Sequence, residues 1–125
     1  MTTRRSAESL LRDIVANARR AIGFMEGVEG PDALRDDTKT LYAVIHALEV
    51  VGEAVKGLPD ALRAAHPEIP WRQMAAMRDR LIHGYFAVDP AVVHATVRGE
   101  LPELLPLPER ALEGVGVRRD QGAEG

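Results

Sequence analysis

At 125 residues, 46% hydrophobic and 28% charged, the chain has the size and composition of one globular domain. It carries 16 Lys and Arg against 19 Asp and Glu, a formal net charge of −3, which excludes a grip on nucleic acid through bulk positive charge but not a local basic site. The absence of cysteine excludes disulfides, thiolate zinc sites and cysteine nucleophiles, and five aromatic residues (Phe24, Tyr42, Trp71, Tyr85, Phe86) are too few for a base-stacking sheet.

The opening MTTRRSAESL has arginines, but Arg12 and Asp13 interrupt the apolar run behind it, so no secretory signal is expected. No stretch reaches the roughly 18 apolar residues of a membrane span. The expected compartment is the cytoplasm, with no membrane partner.

The first helix is expected to begin at Ser6 as N-cap, with Glu8 in its first turn and a stripe of Leu11, Ile14, Val15, Ala18 and Ile22. Gly23, Gly27, Gly30 and Pro31 break it. A second helix is predicted over roughly Asp37–Lys56, with Leu41, Val44, Ile45, Leu48, Val51 and Val55 on one face. Asp36 and Asp37 suit its positive end and Lys56 its negative end. A short helix can follow Pro59. After Pro67 and Pro70, the spacing predicts a helical segment from Trp71 to about Tyr85, with Met74, Met77, Leu81 and Ile82 inward. Asp89 caps a fifth segment with Pro90 at its first position, ending near Leu101–Leu105 where prolines crowd in. No segment shows sustained two-residue alternation. The reading is an all-α bundle of four main helices with an additional short helix. Residues 1–112 form the domain, and the Gly-rich, charged stretch 113–125 is expected to be a flexible tail.

Charge is unevenly placed along this order. Residues 1–25 carry net +3, 26–60 net −5, 61–98 net +2 and 99–125 net −3. The basic third segment holds the most chemically loaded stretch, Met77-Arg78-Asp79-Arg80-Leu81-Ile82-His83-Gly84-Tyr85-Phe86. Arginine offers a permanent charge and a planar fork of donors for phosphate. Histidine takes and gives a proton near neutral pH. The two together meet the minimum for cutting a phosphodiester without a metal ion. His83 would activate a ribose 2′-hydroxyl or protonate the leaving oxygen, and Arg78 would stabilise charge on the phosphate.

On a continuous helix, Arg78 and His83 would lie about 140° apart around the axis and about 7.5 Å along it. Two arrangements reconcile that with one site: Gly84 loosens the helix, or two copies meet across a dimer axis. Bland readings stand beside the functional one. An Arg-Asp-Arg triplet on a helix is ordinarily a solvated face, a single His near a helix end is ordinarily a capping or surface residue, and Tyr85-Phe86 can be core packing.

Arg78-Asp79-Arg80-Leu81-Ile82-His83-Gly84-Tyr85 matches the R-x-x-x-x-H-x-Y pattern of the HEPN superfamily, and the chain resembles most the HepT-type toxins of two-gene toxin–antitoxin modules. The likeness extends to Asp37–Pro59, with its ALE-x-x-GEA-x-K core, and to His66–Asp89; together these cover over a third of the chain. The resemblance implies an up-and-down HEPN-like bundle that dimerises, with paired motifs lining a cleft. It implies a metal-independent endoribonuclease, the toxin of a type VII toxin–antitoxin system, with Arg78 and His83 as the catalytic pair and a cyclic phosphate as product. Its partners would be RNA, a second copy of the chain (a homodimer or higher oligomer), and a cognate MNT-type nucleotidyltransferase antitoxin. That antitoxin would neutralise the toxin by AMPylation of Tyr85. Added phosphates beside Arg78 and His83 would occupy the phosphate site and repel RNA.

Supporting roles are expected of Asp79, orienting Arg78 or His83, of Arg80, and of Glu53, which could help position Arg78. Glu49 and Glu53, four apart with His46 nearby, have a spacing that could suit a metal, but structural or salt-bridging roles are expected of them, and neither a metal nor a cofactor is expected. Trp71 reads as a packing anchor, and His66 and His94 as surface or local hydrogen-bonding residues. The alternative function is a non-catalytic helical dimer that binds nucleotide, RNA or a protein partner.

Overall fold

The structure is a computed structural model that describes the backbone of residues 6–83 and 87–124, with side chains described at 6–81 and 88–116. The expected all-α bundle is what forms. Helix α1 (Ala7–Phe24) starts on Ser6, whose Oγ accepts from the Ser9 amide at 3.1 Å. Leu11, Ile14, Val15 and Ala18 are buried as the periodicity predicts, while Ile22 lies half-buried at the edge. The helix ends at Met25, and the chain leaves through Gly27 at φ +82°, a left-handed conformation that glycine adopts without steric penalty.

Residues 31–36 are expected to belong to a break, but Pro31–Asp36 forms a short helix, α2, with Pro31 in its first turn and Leu34 fully buried. Asp37 then caps α3 (Thr38–Gly57): its Oδ1 accepts from the Thr40 amide at 3.1 Å and its Oδ2 from the Thr40 hydroxyl at 2.6 Å. Val44, Ala47, Leu48, Val51, Ala54 and Val55 form its buried face. Gly57, at the end of α3, faces Leu10 near the start of α1, so these two long helices run antiparallel.

After Pro59 comes the short helix α4 (Asp60–Ala65). Trp71 is the anchor its position suggests: it is buried, and its indole N–H donates to the carbonyls of Arg63 and His66, both at 3.1 Å. The single helix expected over 71–85 is instead two short ones, α5 (Trp71–Ala75) and α6 (Met77–Leu81), separated at Ala76. Met74, Met77 and Leu81 are buried, as expected. Beyond Leu81 the backbone is extended. Strand β1 (Ile82–His83) pairs antiparallel with β2 (Ala87–Val88), matching Ile82 with Val88 and His83 with Ala87. Asp89, which follows β2 and precedes Pro90, is also held out of the helical region, at φ −94° and ψ 105°.

Asp89 caps α7 (Pro90–Ala95) through Oδ1, 2.9 Å from the Ala91 amide. The helix does not stop at the prolines as expected. It passes through a π-helical turn (Thr96–Glu100), α8 (Leu101–Leu104) and α9 (Pro106–Glu124). Pro102 lies in the first turn of α8 and Pro106 opens α9, where no intrahelical N–H is required, so each proline interrupts the ladder without ending the helical run. The stretch from Glu113, expected to be a flexible tail, has helical backbone as far as Glu124. Arg19 of α1 pairs with Glu109 of α9. Arg98 reaches back to the end of α1 and donates to the carbonyls of Met25 (2.7 Å) and Val28 (2.8 Å). Among the described residues, no helix is long and apolar enough to cross a membrane.

Candidate active site

The motif begins on one of the short helices of the bundle. Helix α6 has five residues, too few to be stable alone, so tertiary contacts must hold it. Met77 and Leu81 enter the core. On the α3 side, Gly52 removes a side chain where α3 crosses the α5–α6 junction: a Cβ there would stand 3.2 Å from the Ala75 carbonyl oxygen and 3.7 Å from the Arg78 Cβ.

Arg78 projects outward. Its side chain is 44% exposed, and its Nη1 lies 3.8 Å from the Asp79 carboxylate, at the long limit of an ion pair. A guanidinium so loosely engaged keeps most of its donors for an anionic ligand. Arg80 is different. Its Nη1 and Nη2 donate to the two carboxylate oxygens of Glu100 at 3.1 and 3.0 Å, a bidentate fork, and Gln73 donates to the same carboxylate at 3.4 Å. Arg80 thus links α6 to the π-helical turn.

His83 follows α6 by two residues, in extended backbone, so the 140° helical separation from Arg78 does not apply. Helix ends at Leu81, earlier than loosening at Gly84 would give. The side chain of His83, and all of Gly84, Tyr85 and Phe86, lie outside the described residues, as does the inward placement expected of Ile82.

Glu53 is not joined to Arg78. Its carboxylate is 3.7 Å from Lys56, and among the described residues it shares no hydrogen bond or ion pair with the motif arginine. It lines a surface cleft of about 430 Å³ between α1 and α3 with Leu10, Asp13, His46, Glu49, Val50 and Ala54. Among the described residues, no three His, Asp or Glu side chains are grouped to hold a metal ion. His66 Nδ1 lies 3.4 Å from Glu68, in keeping with a local role.

Two residues of the site carry no sequence expectation. Gly52 had a signal: an isolated glycine inside a strong helical pattern suggests a close approach. Glu100 had none, because its partner lies 20 residues earlier and nothing local marks the pair.

A family model for ribonuclease HepT-like proteins matches residues 14–111, a span that includes α3, α6 and the whole motif. The chain belongs to the HepT-like ribonuclease family. Among its relatives, "Probable ribonuclease HepT" of Thermococcus cleftensis is 46% identical over 101 residues, covering 81% of this chain and 91% of that protein. "Putative RNase MJ1216" of Methanocaldococcus jannaschii is 39% identical over 101 residues, covering 81% and 83%. "Putative RNase TTE0752" of Caldanaerobacter subterraneus is 38% identical over 94 residues, covering 75% and 83%. No solved structure gives a significant match.

Proposed function

We propose that this chain is the ribonuclease toxin of a type VII toxin–antitoxin pair, that it works as a homodimer, and that Arg78 and His83 carry the reaction without a metal ion. The observation that carries the reading is the ribonuclease family match over residues 14–111, within which Arg78 presents an exposed, weakly paired guanidinium. The His83 imidazole removes the proton from a ribose 2′-hydroxyl. The freed oxygen attacks the adjacent phosphorus, and the bond to the 5′-oxygen breaks. A proton returns to that oxygen as it leaves, and the products are a 2′,3′-cyclic phosphate and a 5′-hydroxyl. Arg78 stabilises the charge that builds on the non-bridging oxygens. Asp79, beside Arg78, helps to orient it.

A chain of net charge −3 makes a poor general RNA binder, and pairing two copies of the net-positive third segment answers that in part. Control is by the cognate nucleotidyltransferase. The Tyr85 phenol attacks the α-phosphorus of ATP, pyrophosphate leaves, and the new phosphodiester brings negative charge next to the motif.

The test uses purified protein, a single-stranded RNA and analysis of the fragment ends. Cyclic phosphate and 5′-hydroxyl ends are expected in the presence of EDTA. Fragments with 5′-phosphate ends would contradict the mechanism, and tight binding of the partner with no turnover on any RNA would favour a binding module instead. Incubation with the partner, ATP and magnesium should add AMP mass to the Tyr85 peptide and stop cleavage; mass added elsewhere would contradict the assignment.

A further inference from the structure

We propose that Glu100, in the π-helical turn, is a positioning residue for the motif: through Arg80 it fixes the rotation of α6 and so points Arg78 toward the substrate. The inference rests on the ribonuclease reading of the chain. Helix α6 is five residues long and gives way to the strand at Ile82, so helical continuity comes from one end only, where the Ala76 amide bonds to the Arg72 carbonyl at 3.0 Å and the Arg80 amide to the Ala76 carbonyl at 3.1 Å. Its buried residues, Met77 and Leu81, are four apart and seat one face of the helix in the core. The polar fastening is Arg80 to Glu100, two hydrogen bonds at 3.1 and 3.0 Å from a side chain only 38% exposed to one 35% exposed. A bidentate fork of this kind constrains orientation as well as distance.

The consequence for Arg78 is geometric. Residues two apart on a helix lie about 200° apart around its axis. Anchoring Arg80 on the π-helical turn therefore turns Arg78 to the other side of α6, where its Cβ lies beside Gly52 of α3 and its side chain is 44% exposed. The turn that delivers Glu100 is itself irregular: the Leu101 amide bonds back five residues to Thr96, and the wider turn shifts the register of the helix beyond it. The Thr96 hydroxyl is tied to the Val92 carbonyl at 2.8 Å, and Arg98 is held on the carbonyls of Met25 and Val28, so the platform bearing Glu100 is itself braced. Gln73, bonded to the same carboxylate, connects α5 to the same point.

The test compares wild type, Glu100→Ala and Glu100→Gln by cleavage kinetics on one unstructured RNA and by hydrogen exchange of the peptide spanning 77–83. Glu100→Ala is expected to lower kcat by about 10-fold or more, as a small misplacement of a reacting group does, with KM little changed and faster exchange across 77–83. Glu100→Gln, which keeps one acceptor for Arg80, should fall between the two; if Glu100→Ala does not fold, Glu100→Gln carries the same comparison. Glu100→Ala cleaving like wild type overturns the proposal alone, and so does loss of kcat with unchanged exchange, since Glu100 would then act on the substrate directly. Wild-type protein that cleaves no RNA overturns the ribonuclease reading and this proposal with it.

Discussion

Gly52 of α3 lies against Arg78 of α6, close enough that a Cβ on Gly52 would stand 3.7 Å from the Arg78 Cβ. The contact joins the two segments that most resemble the family, the second long helix and the motif helix, and makes the position of the motif arginine depend on a missing side chain 26 residues earlier.

Gly52→Ala tests that dependence. Alanine favours an isolated helix by about 1 kcal/mol, so an open site would gain stability. Here the added methyl meets the Ala75 backbone oxygen at 3.2 Å, and a carbonyl in a packed helix yields less readily than the end of a side chain. The expected outcome is a net loss of about 1 kcal/mol, the low end of overpacking costs, read from urea unfolding. A more stable Gly52→Ala protein would show that the α3–α6 contact is slack.

Arg78→Lys separates charge from geometry. The side chain is 44% exposed and only loosely paired with Asp79, so the melting temperature should hardly move. Cleavage should fall by about 100-fold, because an ammonium cannot reproduce the planar fork on a phosphate in the transition state. Kinetics beside a thermal melt of the same sample checks both halves; near-wild-type turnover by the lysine variant would mean that any positive charge suffices.

The N-cap of α3 sets a pH dependence. The hydrogen bond from the Thr40 hydroxyl, and then that from its amide, hold the Asp37 carboxyl below the usual carboxylate range. A folded-state pKa below the unfolded one means that unfolding takes up a proton. The stabilisation is then complete above the unfolded value of about 3.9 and is lost as pH falls through the folded value. The gap in melting temperature between wild type and Asp37→Ala should be constant near neutrality and close in acid. A gap that widens on acidification would contradict the assignment of Asp37 as an ionised cap.

Much of the bundle was legible in the sequence because its signals are local. Ser6, Asp37 and Asp89 announce helix starts, and each does cap one. Most of the stripes on α1 and α3 bury as their spacing implies, with Ile22, Leu41 and Ile45 half-buried at the edges, and Trp71 anchors where its neighbours suggest. The departures depend on partners remote in sequence or on backbone competition. Residues 71–85 carry a good helical pattern, yet Ile82 and His83 pair with Val88 and Ala87, partners that helical periodicity does not reveal. Pro102 and Pro106 looked like an end to the last helix, but each sits in a first turn and is tolerated there. Residues 31–36 hid a helix because Gly30 and Pro31 read as a break, when proline there is a start. In the site, Arg78 was legible as an exposed cation, whereas the fastening of Arg80 to Glu100 was not, since a salt bridge across 20 residues leaves no periodic trace.

The most direct test of the account is the cleavage rate of His83→Ala on single-stranded RNA, from protein purified free of contaminating nuclease and shown by circular dichroism and sedimentation to keep the fold and assembly of wild type. The account predicts loss of cleavage, and with it loss of growth inhibition, in a protein that is otherwise intact. Cleavage at the wild-type rate would contradict it.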